Sequence, residues 1–104
     1  SFVYGVELRA LGGAVNEKTA DFNAWPFREA EIMIAYFVNK EYSDEAIPLF
    51  QPIQEFGQGV YGAYSSDTSQ AENARVWPGA TGKKIKEVKE KYDPMNLFDQ
   101  NREL

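Results

Sequence analysis

The segment EIMIAYFVNKEY, residues 31–42, carries the pattern on which the fold depends. Its odd and even positions are both apolar between Ile32 and Val38, which is typical of a strand that is covered on both faces. We therefore predict a central strand of a sheet here. A second strand is predicted upstream in FVYGVEL, residues 2–8, where one side of the period-two pattern should face the core. The apolar side chains of that pattern are Phe2, Tyr4, Val6 and Leu8.

A helix is predicted directly after the central strand. Ser43, Asp44 and Glu45 supply an N-cap and an acidic first turn, both of which favour the start of a helix. Pro52 removes a backbone hydrogen bond and crowds the preceding turn, so we expect the helix to kink or restart near Gln51.

The rest of the chain is predicted to contain a loop and one more helix. Residues 65–73 are polar and are expected to form a loop. The apolar residues of TGKKIKEVKEKY, residues 81–92, fall on one helical face, and Asp93 and Pro94 should end that helix. Two strands, a helix, a loop and a terminal helix together predict the α+β class.

Composition excludes several classes of function. The chain of 104 residues has a net charge of −5, which argues against nucleic acid or an anionic membrane as the partner. It contains no Cys and no His, so thiolate nucleophiles, Ser-His triads and imidazole metal sites are excluded within it. No metal site is predicted, because the acidic pairs lack the spacing of a calcium loop and fit helix caps or surface better. No apolar run reaches the ~20 residues of a membrane span.

The aromatic residues after the middle of the chain are the remaining candidates for chemistry. Tyr61 and Tyr64 lie three positions apart, and Trp77 follows a short loop later. They could line a binding site for a flat ligand or take part in proton transfer, and packing in the core is the commoner role. A tyrosine acts as a base only where a partner stabilises its phenolate.

The end of the sequence carries a motif that points to a family. Residues 89–98, KEKYDPMNLF, resemble the K-x-K-Y-D-P-x-N-x-F ending of the berberine-bridge-enzyme-like oxidases, which are FAD-linked members of the vanillyl-alcohol oxidase superfamily. Residues 7–16 and 24–28 are similar to that family's E-x-x-G-G-A-[IV]-x and T-A-F-x-H-R segments. Trp25 replaces the usual Phe of the second segment, and Phe27 stands where a His is common.

The resemblance implies a set of site residues. YGAY at residues 61–64 is similar to the family's Y-x-N-Y motif, and WPGAT at residues 77–81 is similar to Y-Y-G-x-N. By position, Tyr64 would be the catalytic base that takes a proton from the substrate hydroxyl. Tyr61 and Trp77 would line the substrate space, and Thr81 would contact the flavin.

The resemblance also implies where the chain belongs in a larger protein. Residues 1–78 would form the C-terminal part of a substrate domain, an antiparallel sheet with helices on one face. Residues 79–104 would form a closing helix and tail that contact the FAD-binding domain, which is absent from this chain. The expected partners are that missing domain and a small-molecule substrate, and the chain by itself should be inactive. The lack of Cys and of any N-x-[ST] sequon favours a cytoplasmic location.

A different class of function stays open. An aromatic content of 14% is high for a short chain that carries no flavin-binding loop. Exposed aromatic surface would then serve association with another protein, and the chain would be a non-catalytic interaction module.

Overall fold

The computed structural model describes residues 3–99 and 102, and it has the predicted α+β class. The two strands form an antiparallel sheet, and three helices follow them in the chain. Short 3-10 turns lie at Gly13–Val15, Lys40–Tyr42 and Gly62–Tyr64. The regular elements are β1 (Val3–Ala10), β2 (Ile32–Val38), α1 (Ser43–Gln54), α2 (Gln70–Val76) and α3 (Gly79–Tyr92).

Strand β2 is shorter than predicted and is not central among the described residues. It pairs with β1 alone, in a register that places Leu8 opposite Ile34 and Glu7 opposite Ala35. Residues 40–42 form a 3-10 turn instead of continuing the strand. A strand that is apolar on both faces therefore lies at an edge here, where one row of backbone N–H and C=O groups has no strand beside it.

The prediction that the alternating face of β1 lies in the core is wrong for its described residues. Tyr4 and Leu8 are each 70% exposed, whereas Ala35 on the opposite face is buried. Helix α1 reaches the apolar side of the sheet at Tyr36, whose ring stacks on Phe50 at 4.1 Å between centroids. The exposed apolar side chains of the rest of that side, here termed the apolar sheet face, are Val6, Leu8, Ile32 and Ile34. Phe2 lies outside the described residues.

Helix α1 begins where it was predicted and does not break. Ser43 is its first residue and not the predicted N-cap, a position that Tyr42 occupies, and the Ser43 hydroxyl donates to the Lys40 carbonyl at 3.0 Å. The helix runs through both Pro48 and Pro52 to Gln54, so a restart near residue 51 is wrong, while the alternative of a kink there stays a prediction. Proline removes one donor but keeps a helical φ, and the turns on either side hold the helix together.

Helix α2 occupies part of the stretch that was predicted to be a loop. Ser69 caps it, because its hydroxyl accepts a hydrogen bond from the Glu72 backbone N–H at 3.2 Å. The helix is mostly polar and buries Asn73 and Val76. Two buried positions give too little apolar periodicity to be recognised in the sequence, although the Ser69 cap was a usable signal.

Helix α3 confirms the predicted terminal helix and is tied to a distant loop. It starts two residues earlier than predicted, at Gly79, whose positive φ of 56° suits glycine. The Thr81 hydroxyl donates to the Ala20 carbonyl at 2.5 Å, and the Lys84 ammonium donates to the Asp21 carbonyl at 2.9 Å. These bonds join the two predicted units, residues 1–78 and 79–104, whose division into domains stays a prediction.

Asp93 ends α3 and holds the turn that follows it. Its carboxylate accepts hydrogen bonds from the backbone N–H groups of Leu97 at 2.7 Å and Phe98 at 3.1 Å, and it pairs with Lys89. The hydrogen bond from Lys89 lowers the pKa of Asp93, and the two backbone N–H groups add to that effect. The Asp-Pro turn of the terminal motif therefore has a local structural role.

We expect Asp93→Asn to destabilise the chain most at neutral pH. Because the pKa of folded Asp93 is lowered, its stabilising effect is present above the unfolded-state pKa and is lost as the pH falls through the folded pKa. The difference in unfolding midpoint between the native chain and the variant should shrink to nothing in acid. Thermal unfolding at a series of pH values tests this, with the exposed Glu17→Gln as control. A difference that does not change with pH would contradict it.

The hydrophobic core of the described residues is small. The chain has a radius of gyration of 15.2 Å and extents of 46 × 34 × 18 Å, against about 13 Å expected for a compact domain of 100 residues. Much large apolar surface therefore stays exposed, with Phe56 94% exposed as the extreme. Within residues 3–99 and 102, none of the helices has the length and apolar character needed to cross a bilayer. The buried hydrophobic side chains are Phe27, Ala35, Ala46 and Val76.

Candidate functional site

An open groove of about 480 Å³ runs along the free edge of β2. Consecutive residues 32–36 all line it, and because successive side chains of a strand point to opposite faces, the strand meets the groove with its edge. Helix α1 contributes Ile47 and Phe50, and the segment after α1 contributes Tyr61 and Tyr64. The groove is therefore a mainly apolar concavity with two phenol groups, of the kind that binds small molecules.

Four aromatic rings form a continuous series along this groove. The Trp25 ring lies 5.4 Å from Phe27 and 5.5 Å from Tyr61, and the Tyr61 ring lies 5.3 Å from Tyr64. The contacts are edge-on or tilted, which is the favoured geometry for aromatic pairs. We term Phe27, Trp25, Tyr61 and Tyr64 the aromatic row; it brings the two predicted tyrosines together.

Glycines allow the backbone of the aromatic row to lie against α2. A Cβ at Gly59 would overlap the Phe27 ring and lie 2.5 Å from the Arg75 carbonyl oxygen. The next residue, Val60, donates its N–H to that same carbonyl at 3.1 Å. A Cβ at Gly62 would lie 2.8 Å from a methyl group of Val76. Close backbone approach at these two glycines therefore sets the position of both tyrosines.

Arg9 is a neighbour of Tyr64 that the sequence analysis did not find. The pKa of Arg9 is raised, first by its hydrogen bond and ion pair with Glu7 and then by the nearby Tyr64 hydroxyl. Both Glu7 and Arg9 lie on the β1 face opposite the apolar sheet face. A guanidinium beside a phenol is the type of group that stabilises a phenolate. In the sequence, the signal that could have pointed to Arg9 is the alternation of β1, which places Glu7 and Arg9 on one side of the strand.

The other two predicted site residues lie away from the groove. Trp77 lines a second cavity of about 640 Å³, together with Gly82, Lys83 and Lys86. Thr81 is 1% exposed, and its hydroxyl donates a hydrogen bond to the Ala20 carbonyl. The structure thus brings Tyr61 and Tyr64 to one surface and separates Trp77 and Thr81 from it.

One polar atom in the aromatic row is unsatisfied. The indole Nε1 of Trp25 is buried and has no hydrogen-bond partner among the described residues, although most buried polar atoms in native proteins have one. Arg28, three residues later, also has a buried Nε without a hydrogen-bond partner among the described residues. Its terminal nitrogens donate to the Val15 carbonyl at 2.7 Å and to the Asn23 side-chain oxygen at 2.6 Å.

The chain was compared with protein-family models, curated proteins and solved structures, and none of them matches it. The geometry of the aromatic row and its groove therefore has to support any functional conclusion.

Proposed function

We propose that this chain forms one wall of the active site of an FAD-dependent oxidoreductase of the berberine-bridge type. FAD would be held mainly by another domain, and the substrate would be a small molecule with a hydroxyl group. The observation that supports this is the aromatic row on an open groove, with Arg9 beside Tyr64. The resemblance of the terminal and upstream motifs to those of the family is the reason for proposing a flavoprotein.

Tyr64 is the proposed base. It lines the groove and is half exposed, so a substrate hydroxyl can reach it. Arg9 would be the cation nearest to the Tyr64 hydroxyl, and Tyr61 would hold the ring of Tyr64 through their tilted contact. Trp77 and Thr81 lie outside the groove, so the substrate wall proposed here is built without them, and their predicted contacts with substrate and flavin stay predictions.

The residues of the groove fit the ring end of a flavin. They offer aromatic edges and two phenol hydroxyls. Flavin phosphates need glycine-rich loops or helix N-termini, which the proposal assigns to the other domain. When bound, FAD supplies the acceptor for the hydride that leaves the substrate carbon. A cytoplasmic location belongs to the same proposal.

The proposal is tested on the native polypeptide that contains this segment. An antibody raised against the 104-residue chain would capture it from its source, and its visible spectrum and intact mass would be recorded. A larger polypeptide with the absorbance of an oxidised flavin would support the proposal. A colourless polypeptide would contradict it, whatever its length.

A second candidate function is supported by the apolar sheet face. Val6 and Leu8 are exposed on a two-stranded sheet, and sheets of that size are marginal without further packing. Contiguous exposed apolar surface commonly binds protein. In this reading the chain is a non-catalytic module that associates through its exposed aromatic and aliphatic side chains.

We expect the isolated chain to self-associate through this face. Replacing Leu8 with lysine should weaken the association at least about tenfold, because burying a leucine contributes about 1.5–3 kcal/mol and each 1.4 kcal/mol is a factor of ten. Light scattering over a concentration series measures this. Val15→Lys adds the same charge at an exposed apolar position outside the sheet and is the matched control. A native chain that stays monomeric and binds little apolar dye would contradict the expectation.

A further inference from the structure

Arg102 binds a segment of the chain, residues 62–73, that lies 29–40 positions before it in sequence. Its Nη1 donates to the Asp67 carbonyl at 2.5 Å and to the Asn73 side-chain oxygen at 2.8 Å. Its Nη2 donates to the Gly62 carbonyl at 3.1 Å and to the Ser65 carbonyl at 2.6 Å. Each terminal nitrogen of the guanidinium therefore donates two hydrogen bonds.

Acceptors of Arg102 lie on both sides of Tyr64 in the sequence. The carbonyls of Gly62 and Ser65 lie at the two ends of the short turn that carries this tyrosine. Within the turn, the Tyr64 N–H donates to the Tyr61 carbonyl at 3.0 Å. A single turn with so little internal bonding depends on external contacts for its position.

Asn73 connects this arrangement to α2. It is a buried residue of that helix, and its Nδ2 donates to the Thr68 carbonyl at 3.3 Å while its side-chain oxygen accepts from Arg102. The guanidinium therefore fixes the turn relative to a helix and not merely to a neighbouring loop. Its planar set of donors can serve acceptors in several directions at once.

We infer that Arg102 is a positioning residue that holds the Tyr61–Tyr64 turn at the groove, an inference that rests on the proposed function of Tyr64 as the base. Arg102 does not line the groove and touches no reacting group. It acts through the backbone of the turn, so its loss displaces the tyrosines and leaves the rest of the aromatic row in place. A lysine would have fewer donors from a single nitrogen and would restore only part of the arrangement.

The first test uses the 104-residue chain. Nuclear Overhauser contacts between the rings of Tyr61 and Trp25, which join the turn to the rest of the aromatic row, would be compared with those between Trp25 and Phe27. Arg102→Ala should remove the Tyr61–Trp25 contacts and keep the Trp25–Phe27 contacts. Arg102→Lys should give an intermediate intensity. Tyr61–Trp25 contacts that persist in a folded Arg102→Ala chain would overturn the inference.

The matched control is Lys84→Ala. Lys84 also links distant parts of the chain, through its hydrogen bond to the Asp21 carbonyl at 2.9 Å, but it lies away from the turn. Its replacement should leave the contacts of the aromatic row unchanged. Equal loss of the Tyr61–Trp25 contacts in this control would mean that general loosening of the fold explains the result, and the inference would fail. If Arg102→Ala does not fold, the decision rests on Arg102→Lys, where full native intensity would contradict the inference.

The second test separates this inference from the proposed function. In the flavoprotein, Arg102→Ala should lower kcat on the order of 10²-fold, the effect of misplacing a reacting group by about 1 Å, and change KM much less. Unchanged kcat with flavin present would overturn the positioning role alone. Absence of flavin from the native polypeptide would overturn the proposed function, while the ring contacts would still report whether Arg102 holds the turn.

Discussion

Replacing Gly59 with alanine is expected to destabilise the chain by about 1–3 kcal/mol, the usual cost of overpacking a tight site. The added methyl group would overlap the Phe27 ring and lie 2.5 Å from the Arg75 carbonyl oxygen. Phe27 is one of the few buried hydrophobic side chains, so it has little freedom to move aside. A loss of this size is a large part of the stability of a small domain.

Urea unfolding of the two proteins measures this effect. Gly5→Ala is the matched control, because a Cβ there would meet Phe37 at 3.4 Å, an ordinary contact, and strands disfavour glycine. The control should be neutral or slightly stabilising. The Tyr61–Trp25 ring contact should also weaken in the Gly59 variant, since the two residues face each other across this segment. If Gly59→Ala is as stable as the native chain, the Phe27 ring and the Arg75 carbonyl do not lie as close to Gly59 as described.

Tyr64→Phe is expected to lower the rate of flavin reduction by substrate about 10²–10⁴-fold in the flavoprotein, the range for loss of general base catalysis. The ring keeps its place at the groove because phenylalanine preserves the tilted contact with Tyr61. KM should therefore change little. Stopped-flow reduction without oxygen measures the chemical step directly.

Two further variants test the roles around Tyr64. Tyr61→Phe should have a much smaller effect, since its hydroxyl is assigned no proton transfer. Arg9→Gln should lower the rate by an intermediate amount, because it removes the cation near the Tyr64 hydroxyl and keeps a side chain of similar length. Equal rates in native protein and Tyr64→Phe would remove Tyr64 from the role of base.

Local patterns predicted the elements whose signals lie in a few adjacent residues. The 3.6-residue period of residues 81–92 and the Asp-Pro pair after it predicted α3 and its end, because backbone hydrogen bonding and capping act within one or two turns. The two strands were found by the same means. Helix α2 was missed because few of its side chains are buried, so the period is weak.

The direction of the β1 face could not be predicted from its alternation. Tyr4, Val6 and Leu8 form a regular apolar row, and such a row usually faces the core of its own chain. In the structure Val6 and Leu8 are exposed, whereas Glu7 between them is half-buried. The alternation indicates that one face of the strand is suited to burial. It does not indicate which other segment covers that face, because this depends on how distant segments pack.

The candidate site shows the same division. The spacing of Tyr61 and Tyr64, the glycines near them and the resemblance of the motifs were all readable in the sequence, and they identified the right turn as the place of interest. The convergence of Trp25 and Arg9 on these tyrosines, and the four hydrogen bonds from Arg102, were not readable. Short-range order follows from backbone geometry and local side chains, whereas contacts between distant segments depend on how those segments pack, and only the tertiary structure decides that.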